Sequence, residues 1–228
     1  MRKLLFCDLD GTLLPRGEKS LSRDILAQIE RIVSKGNIFA VASGRSYSEM
    51  RALFGDVSRK IVFICLDGAI AFYRDCVIYK KPLCKIEAGR LSPHPTHATF
   101  FGRTKTLCFD ETVYDGERAR LVNTLGSEVF KLSVIASPQK SQIARVCYNR
   151  DGICEYVNKD ANKGIAAQSV AQKFSIPLEN TLAIGDGEND IQLLSTVNEP
   201  YKMADCHISL KDFPAKQVTD ILEFLKSI

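Results

Sequence analysis

The chain has 228 residues, of which 45% are hydrophobic and 25% charged, the balance of an ordinary globular protein with a sizeable core. A net charge of +4, from 31 basic and 27 acidic residues, is too small for a nucleic-acid or membrane footprint, and no stretch is long and apolar enough for a membrane span. The eight cysteines form no CxxC pair and several lie in apolar runs, so the expected setting is reduced and cytoplasmic.

Chain order then predicts a layered α/β protein. KLLFCDLD (3–10) reads as a buried parallel strand. Over 21–35, Ile25, Ile29, Ile32 and Val33 recur at helical spacing, with Ser22 as N-cap and Gly36 as stop. NIFAVAS (37–43) is a second strand, 44–55 a second helix and KIVFICL (60–66) a third strand. That alternation is the signature of a doubly wound, Rossmann-like parallel sheet. Residues 69–81 read as a hairpin with Arg74-Asp75 at its turn.

The pattern changes after Lys81. LSPHPTHA is punctuated by Pro and His, and 82–157 reads as an inserted mixed α/β module. Its expected strands are 97–103, 105–110, 129–136 and 152–157, and its expected helices 117–126 and 139–148. The parallel pattern resumes with a helix over 162–174, the strand TLAIG (181–185), a helix over 188–195 and a last helix near 214–227. The expected domains are therefore a core of 1–81 plus 158–228, and an inserted domain of 82–157.

Polar residues gather where these strands end. Asp8 and Asp10 close the first strand, Ser43 the second, and Asp186 follows TLAIG, with Asn189 and Asp190 a turn later. Lys163 opens a helix. Open α/β sheets bind ligands outside the carboxyl ends of their strands, so the convergence points to one site. Clustered carboxylates favour a hard cation such as Mg²⁺ over Zn²⁺. A carboxylate approaching a phosphate ester meets like-charge repulsion of roughly 4 kcal/mol per pair at 4 Å and an effective dielectric of about 20. Mg²⁺ and Lys163 are the cations available to offset it.

Four segments, DLDGTL (8–13), VASGR (41–45), NKG (162–164) and GDGEND (185–190), resemble in order the motifs of the haloacid dehalogenase-like superfamily. The insertion resembles the type-IIB cap of its Cof-type sugar-phosphatase branch, though short for it and closer in size to the caps of phosphoglycolate, sucrose-phosphate and mannosylphosphoglycerate phosphatases. The resemblance implies a Mg²⁺-dependent phosphatase acting on a small phosphorylated metabolite, as a monomer or homodimer. Asp8 is implied as nucleophile, forming an aspartyl-phosphate. Asp10 is implied as the acid for the leaving oxygen and then the base for water. Ser43 and Gly44 would meet the phosphoryl group, and Lys163 would pair with Asp8 and the phosphate. Asp186 would hold the metal with Asp8 and the Asp10 backbone carbonyl, with Asn189 and Asp190 completing its surroundings. Gly11 permits the turn after the nucleophile, and Thr12 orients that loop.

Arg45 reaches towards the substrate or the cap, or forms a surface ion pair. Where this branch often carries Asn-Gly-Ala, the chain has Asp67, Gly68 and Ala69, an extra carboxylate that would repel phosphate unless turned away or facing a cationic substrate group. His94 and His97 read as loop residues, and Arg118 and Arg120 as a solvated helix face. The alternatives are a phosphomutase sharing the same chemistry and a non-catalytic sugar-phosphate binding protein.

Overall fold

The computed structural model describes residues 2–83, 91, 97–100, 103–106, 128–135, 137–150 and 152–228. The chain divides into two compact units, Met1–Tyr79 with Asn162–Ile228, and Lys80–Ala161.

The first unit is built on an eight-stranded sheet. Its strands are β1 (Leu4–Asp8), β2 (Ile38–Ala42), β3 (Val62–Cys65), β4 (Ile70–Tyr73), β5 (Cys76–Lys80), β11 (Thr181–Gly185), β12 (Glu199–Met203) and β13 (Lys216–Val218). They lie in the order β13-β12-β11-β1-β2-β3-β4-β5. All neighbours from β13 to β3 are parallel, and β4 turns back antiparallel on β3. Every residue of β1, β2, β3 and β11 is buried, which explains why these segments are continuous apolar runs and not alternating ones.

Helices cover the sheet: α1 (Arg23–Ser34), α2 (Tyr47–Phe54), α3 (Lys163–Lys173), α4 (Ile191–Leu194) and α5 (Ile221–Lys226). The small residues Ala166, Ala167, Val170 and Ala171 of α3 pack with Leu4, Phe6, Ala40 and Ala183 in one core cluster. Leu5, Cys7, Phe39 and Val41 alternate with those strand residues and are buried on the opposite face. Ser22, the expected cap, accepts from the Ile25 amide; Ser46 forms a capping box with Glu49, and Asn162 accepts from the Ile165 amide.

Among its described residues the second unit carries a five-stranded antiparallel sheet, β7-β6-β8-β10-β9. Its strands are β6 (His97–Phe100), β7 (Arg103–Thr106), β8 (Lys131–Ile135), β9 (Ala144–Arg150) and β10 (Ile153–Asn158). Leu83, Leu91, Leu132, Ala144, Cys154 and Tyr156 form its core.

Two expectations are corrected. Residues 139–148 were expected to be helical, but Ala144–Arg150 is a strand paired antiparallel with β10. Val146, Cys147 and Tyr148 suit a pleated surface, and a short apolar run does not distinguish helix from strand until its partner is known. The last helix is shorter than expected: Lys216–Val218 joins the sheet, and Asp220 caps a helix that starts only at Ile221. Strand β12, a segment for which the sequence suggested no element, carries Pro200, which has no amide to donate. The expected helix 117–126, with Arg118 and Arg120, lies outside the described residues, as do His94, the segment 107–110 and the side chain of His97.

Six cysteines among the described residues, Cys7, Cys65, Cys76, Cys147, Cys154 and Cys206, are free thiols. Burial, with Asp8 next in effect, raises the Cys7 thiol well above its ordinary value, and burial does the same to Cys65, which keeps both unreactive. No helix among the described residues is long and apolar enough to cross a membrane.

Candidate active site

Strand register gathers the site. Asp8 is level with Ala42 of β2, Ala42 with Ile64 of β3, and Cys7 with Ile184 of β11. The residues that follow, Ser43 and Asp186, therefore emerge with Asp8 along one sheet edge. That edge is the carboxyl end of β1, where the strand order reverses direction between β11 and β2.

Lys163 is the first residue of α3, and its side chain is 1% exposed. Its Nζ donates to Asp8 Oδ1 at 2.5 Å and to Asp190 Oδ1 at 2.6 Å. The other oxygen of Asp190 accepts from the amides of Asp186, at 3.1 Å, and Gly187, at 2.9 Å. Asp190 thus braces both the ammonium and the 185–190 turn. Asp8, Asp186 and Asp190, all buried, each bring a carboxylate oxygen within 4.8 Å of the others.

Two glycines allow these close approaches. Gly11 has φ +92°, and a Cβ there would lie 2.2 Å from Asp186 Oδ2. Gly68 has φ +90°, and its Cβ would strike the Asn162 carbonyl at 2.2 Å, which would push the start of α3 away.

The electrostatics follow from burial. Burial alone would lower the Lys163 pKa, but the Asp190 and Asp8 carboxylates outweigh it, so the ammonium stays charged. Burial, then Asp190, pushes Asp8 well up against the pull of Lys163. Burial also raises Asp186, with Arg16 opposing it. Three crowded carboxylates share one buried lysine and one mostly exposed arginine, and a divalent cation would supply the positive charge still lacking. The donor set is all carboxylate oxygen, which fits a hard ion such as Mg²⁺.

Asp10 stands at the more open side, its side chain 50% exposed. Arg45 grips it as a fork, Nη2 to Oδ1 at 2.5 Å and Nε to Oδ2 at 3.0 Å. Ser43 is buried, and its Oγ donates to Asp10 Oδ2 at 3.4 Å while accepting from the Arg45 amide at 3.2 Å. Thr12 Oγ1 donates to Asp186 Oδ1 at 3.4 Å. Asp67 sits in a left-handed backbone conformation (φ 55°, ψ 33°), and its Oδ1 accepts from Asn189 Nδ2 at 3.2 Å. Its carboxylate lies so close to Gly44 that a Cβ there would be 3.1 Å away. The structure therefore brings together Asp8, Lys163, Asp186 and Asp190 directly, and Asp10, Ser43 and Arg45 as a second group. Asp67, Gly44 and Asn189 form a third. Arg16, which no sequence motif marks, donates from Nη2 to Asp186 Oδ2 at 2.9 Å.

Residues 5–93 and 125–222 match the family model for haloacid dehalogenase-like hydrolases. The chain belongs to that family. It is thus a hydrolase of the haloacid dehalogenase-like type. A protein of Buchnera aphidicola subsp. Baizongia pistaciae named "Putative phosphatase" is 23% identical over 241 residues, covering 92% of this chain and 90% of its own. A haloacid dehalogenase-like hydrolase from B. subtilis superposes with a TM-score of 0.78 at 17% identity, covering 99% of both chains. The haloacid dehalogenase subclass IIB sugar phosphatase BT4131 superposes at 0.75 and 20% identity, covering 99% of this chain and 97% of that one. These structures share the fold of this haloacid dehalogenase-like hydrolase.

Proposed function

We propose that this hydrolase is a Mg²⁺-dependent phosphatase that cleaves a small phosphate monoester, of the sugar-phosphate or phosphoglycolate kind, through an aspartyl-phosphate on Asp8. The observation that carries the reading is the buried Lys163 ammonium 2.5 Å from Asp8 Oδ1, beside the carboxylates of Asp186 and Asp190. Asp8, Asp186 and the Asp10 backbone carbonyl would hold Mg²⁺, and Asp190, which accepts from Lys163 and from the amides of Asp186 and Gly187, would act on it through water or by fixing Lys163. When bound, the ion offsets the repulsion between Asp8 and the phosphate and stabilises charge on the phosphoryl oxygens.

The protein's own groups supply the rest. A carboxylate oxygen of Asp8 forms a bond to phosphorus as the ester oxygen leaves, and Asp10 gives that oxygen a proton. Asp10 then takes a proton from water as the water oxygen attacks phosphorus and the bond to Asp8 breaks, releasing inorganic phosphate. Lys163 opposes the upward push of burial on Asp8 and aims its carboxylate, and Ser43 donates to a phosphoryl oxygen. The Arg45 fork on both Asp10 oxygens favours the carboxylate that serves as base, and Asp10 leaves that fork to act as acid. The inserted unit is assigned substrate choice, and the protein is read as cytoplasmic.

Asp8→Asn tests the reading. Phosphate release from an aryl phosphate with Mg²⁺ is expected to fall by about a thousandfold or more, as for loss of a nucleophile. A variant turning over at the wild-type rate would remove Asp8 from the role.

A further inference from the structure

Arg16 lies on the loop after β1, outside the four motif segments. Its side chain is 65% exposed, yet its guanidinium lands on Asp186, whose side chain is only 7% exposed. Among the described residues, four carboxylates meet here, and three cations serve them. Lys163 serves Asp8 and Asp190, Arg45 serves Asp10, and Arg16 serves Asp186. Among these pairs, only that of Arg16 joins a mostly exposed cation to a member of the buried aspartate triad.

Asp186 Oδ2 also faces Gly11 so closely that no side chain fits between them. Access to this carboxylate is therefore narrow. A Mg²⁺ ion binds oxygen at about 2.1 Å with rigid octahedral demands, and a guanidinium held at hydrogen-bond distance repels it.

We propose that Arg16 is a tethered counter-ion that competes with the divalent cation for Asp186, so that binding one displaces the other. The proposal rests on the metal site of the preceding section. It makes Arg16 a device that weakens cation affinity. An ion pair open to water on one side is weak enough to yield, yet it still subtracts from the apparent affinity of whatever must replace it.

The test is calorimetric titration with MgCl₂ alone, without substrate, on wild type, Arg16→Ala, Arg16→Lys and Asp186→Asn. Arg16 is a surface loop side chain, so its replacement leaves the core untouched. Arg16→Ala is expected to bind Mg²⁺ about two- to fivefold more tightly than wild type, the range implied by an exposed ion pair. Arg16→Lys should fall between them, and the difference should shrink as monovalent salt screens the pair. Equal or weaker Mg²⁺ binding by Arg16→Ala overturns the proposal. Wild-type Mg²⁺ binding by Asp186→Asn instead overturns the metal site itself, so the two failures are distinguishable.

Discussion

Lys163 shows how one side chain can hold a site together. Its ammonium is enclosed with almost no contact with water, and taking an ion out of water costs several kcal/mol. Two carboxylates at 2.5 and 2.6 Å compensate for that cost, and they need Lys163 as much as it needs them. Lys163→Met should leave Asp8 and Asp190 as uncompensated buried charges. Urea unfolding at neutral pH is expected to show a loss of about 3–5 kcal/mol, together with loss of phosphatase activity. A loss under 1 kcal/mol would mean the triangle contributes little to the fold. Asp67 illustrates a different residue-level lesson. Its departure from the family's usual asparagine was visible in the sequence, but its attachment to Asn189 was not. Asp and Asn both tolerate the left-handed backbone found here, so conformation alone does not explain the exchange.

At the element scale, helix α2 and the β4–β5 hairpin are joined by a small polar network. Arg74 and Asp75 at the hairpin turn both have positive φ, the conformation that matches strand twist in a two-residue turn. The Asp75 carboxylate accepts from Tyr47 Oη at 2.7 Å and pairs with Arg51 at 3.0 Å. The Tyr47 ring stacks on Phe72, with centroids 4.1 Å apart. Burial, then Asp75, pushes the Tyr47 phenol up to about 12. The folded protein therefore holds this proton more tightly than the unfolded chain does. The associated stability is complete below about pH 10, the ordinary tyrosine value, and fades as pH rises towards 12. Tyr47→Phe is expected to cost about 1 kcal/mol at pH 7 for the lost hydrogen bond. Its unfolding free energy should also fall less steeply than that of wild type between pH 10 and 11.5. Parallel slopes for the two proteins would place the phenol outside this network.

On the scale of the whole molecule, the reversal of strand order beside β1 decides where chemistry can occur. It opens a crevice at one sheet edge, and a metal bound there would tie β1 to the loop after β11. Any ligand that binds only the folded form adds to stability by mass action. Mg²⁺ at about a hundred times its dissociation constant should therefore add about 2.7 kcal/mol. A rise in unfolding temperature with Mg²⁺ in wild type, absent in Asp186→Asn, is the expected result. An equal rise in both proteins would point to nonspecific ion effects. The sequence by itself determined the parallel core and the candidate site, because fully buried strands must be continuous apolar runs and polar residues cannot follow them without a reason. Asp8, Ser43 and Asp186 were readable on those terms, each directly after such a run. Strands β9, β12 and β13 were not readable. Strand β9 forms by pairing with β10, the next strand in the chain, and β12 and β13 by extending the parallel sheet from β11. The pairing of Lys163 with Asp8 was already implied by the motifs, but only the tertiary structure decided that Arg16 meets Asp186 and Arg45 meets Asp10. Arg16 and Arg45 are separated from their partners by other elements or by long stretches of chain, and a charge in a loop carries no local mark of the carboxylate it will find.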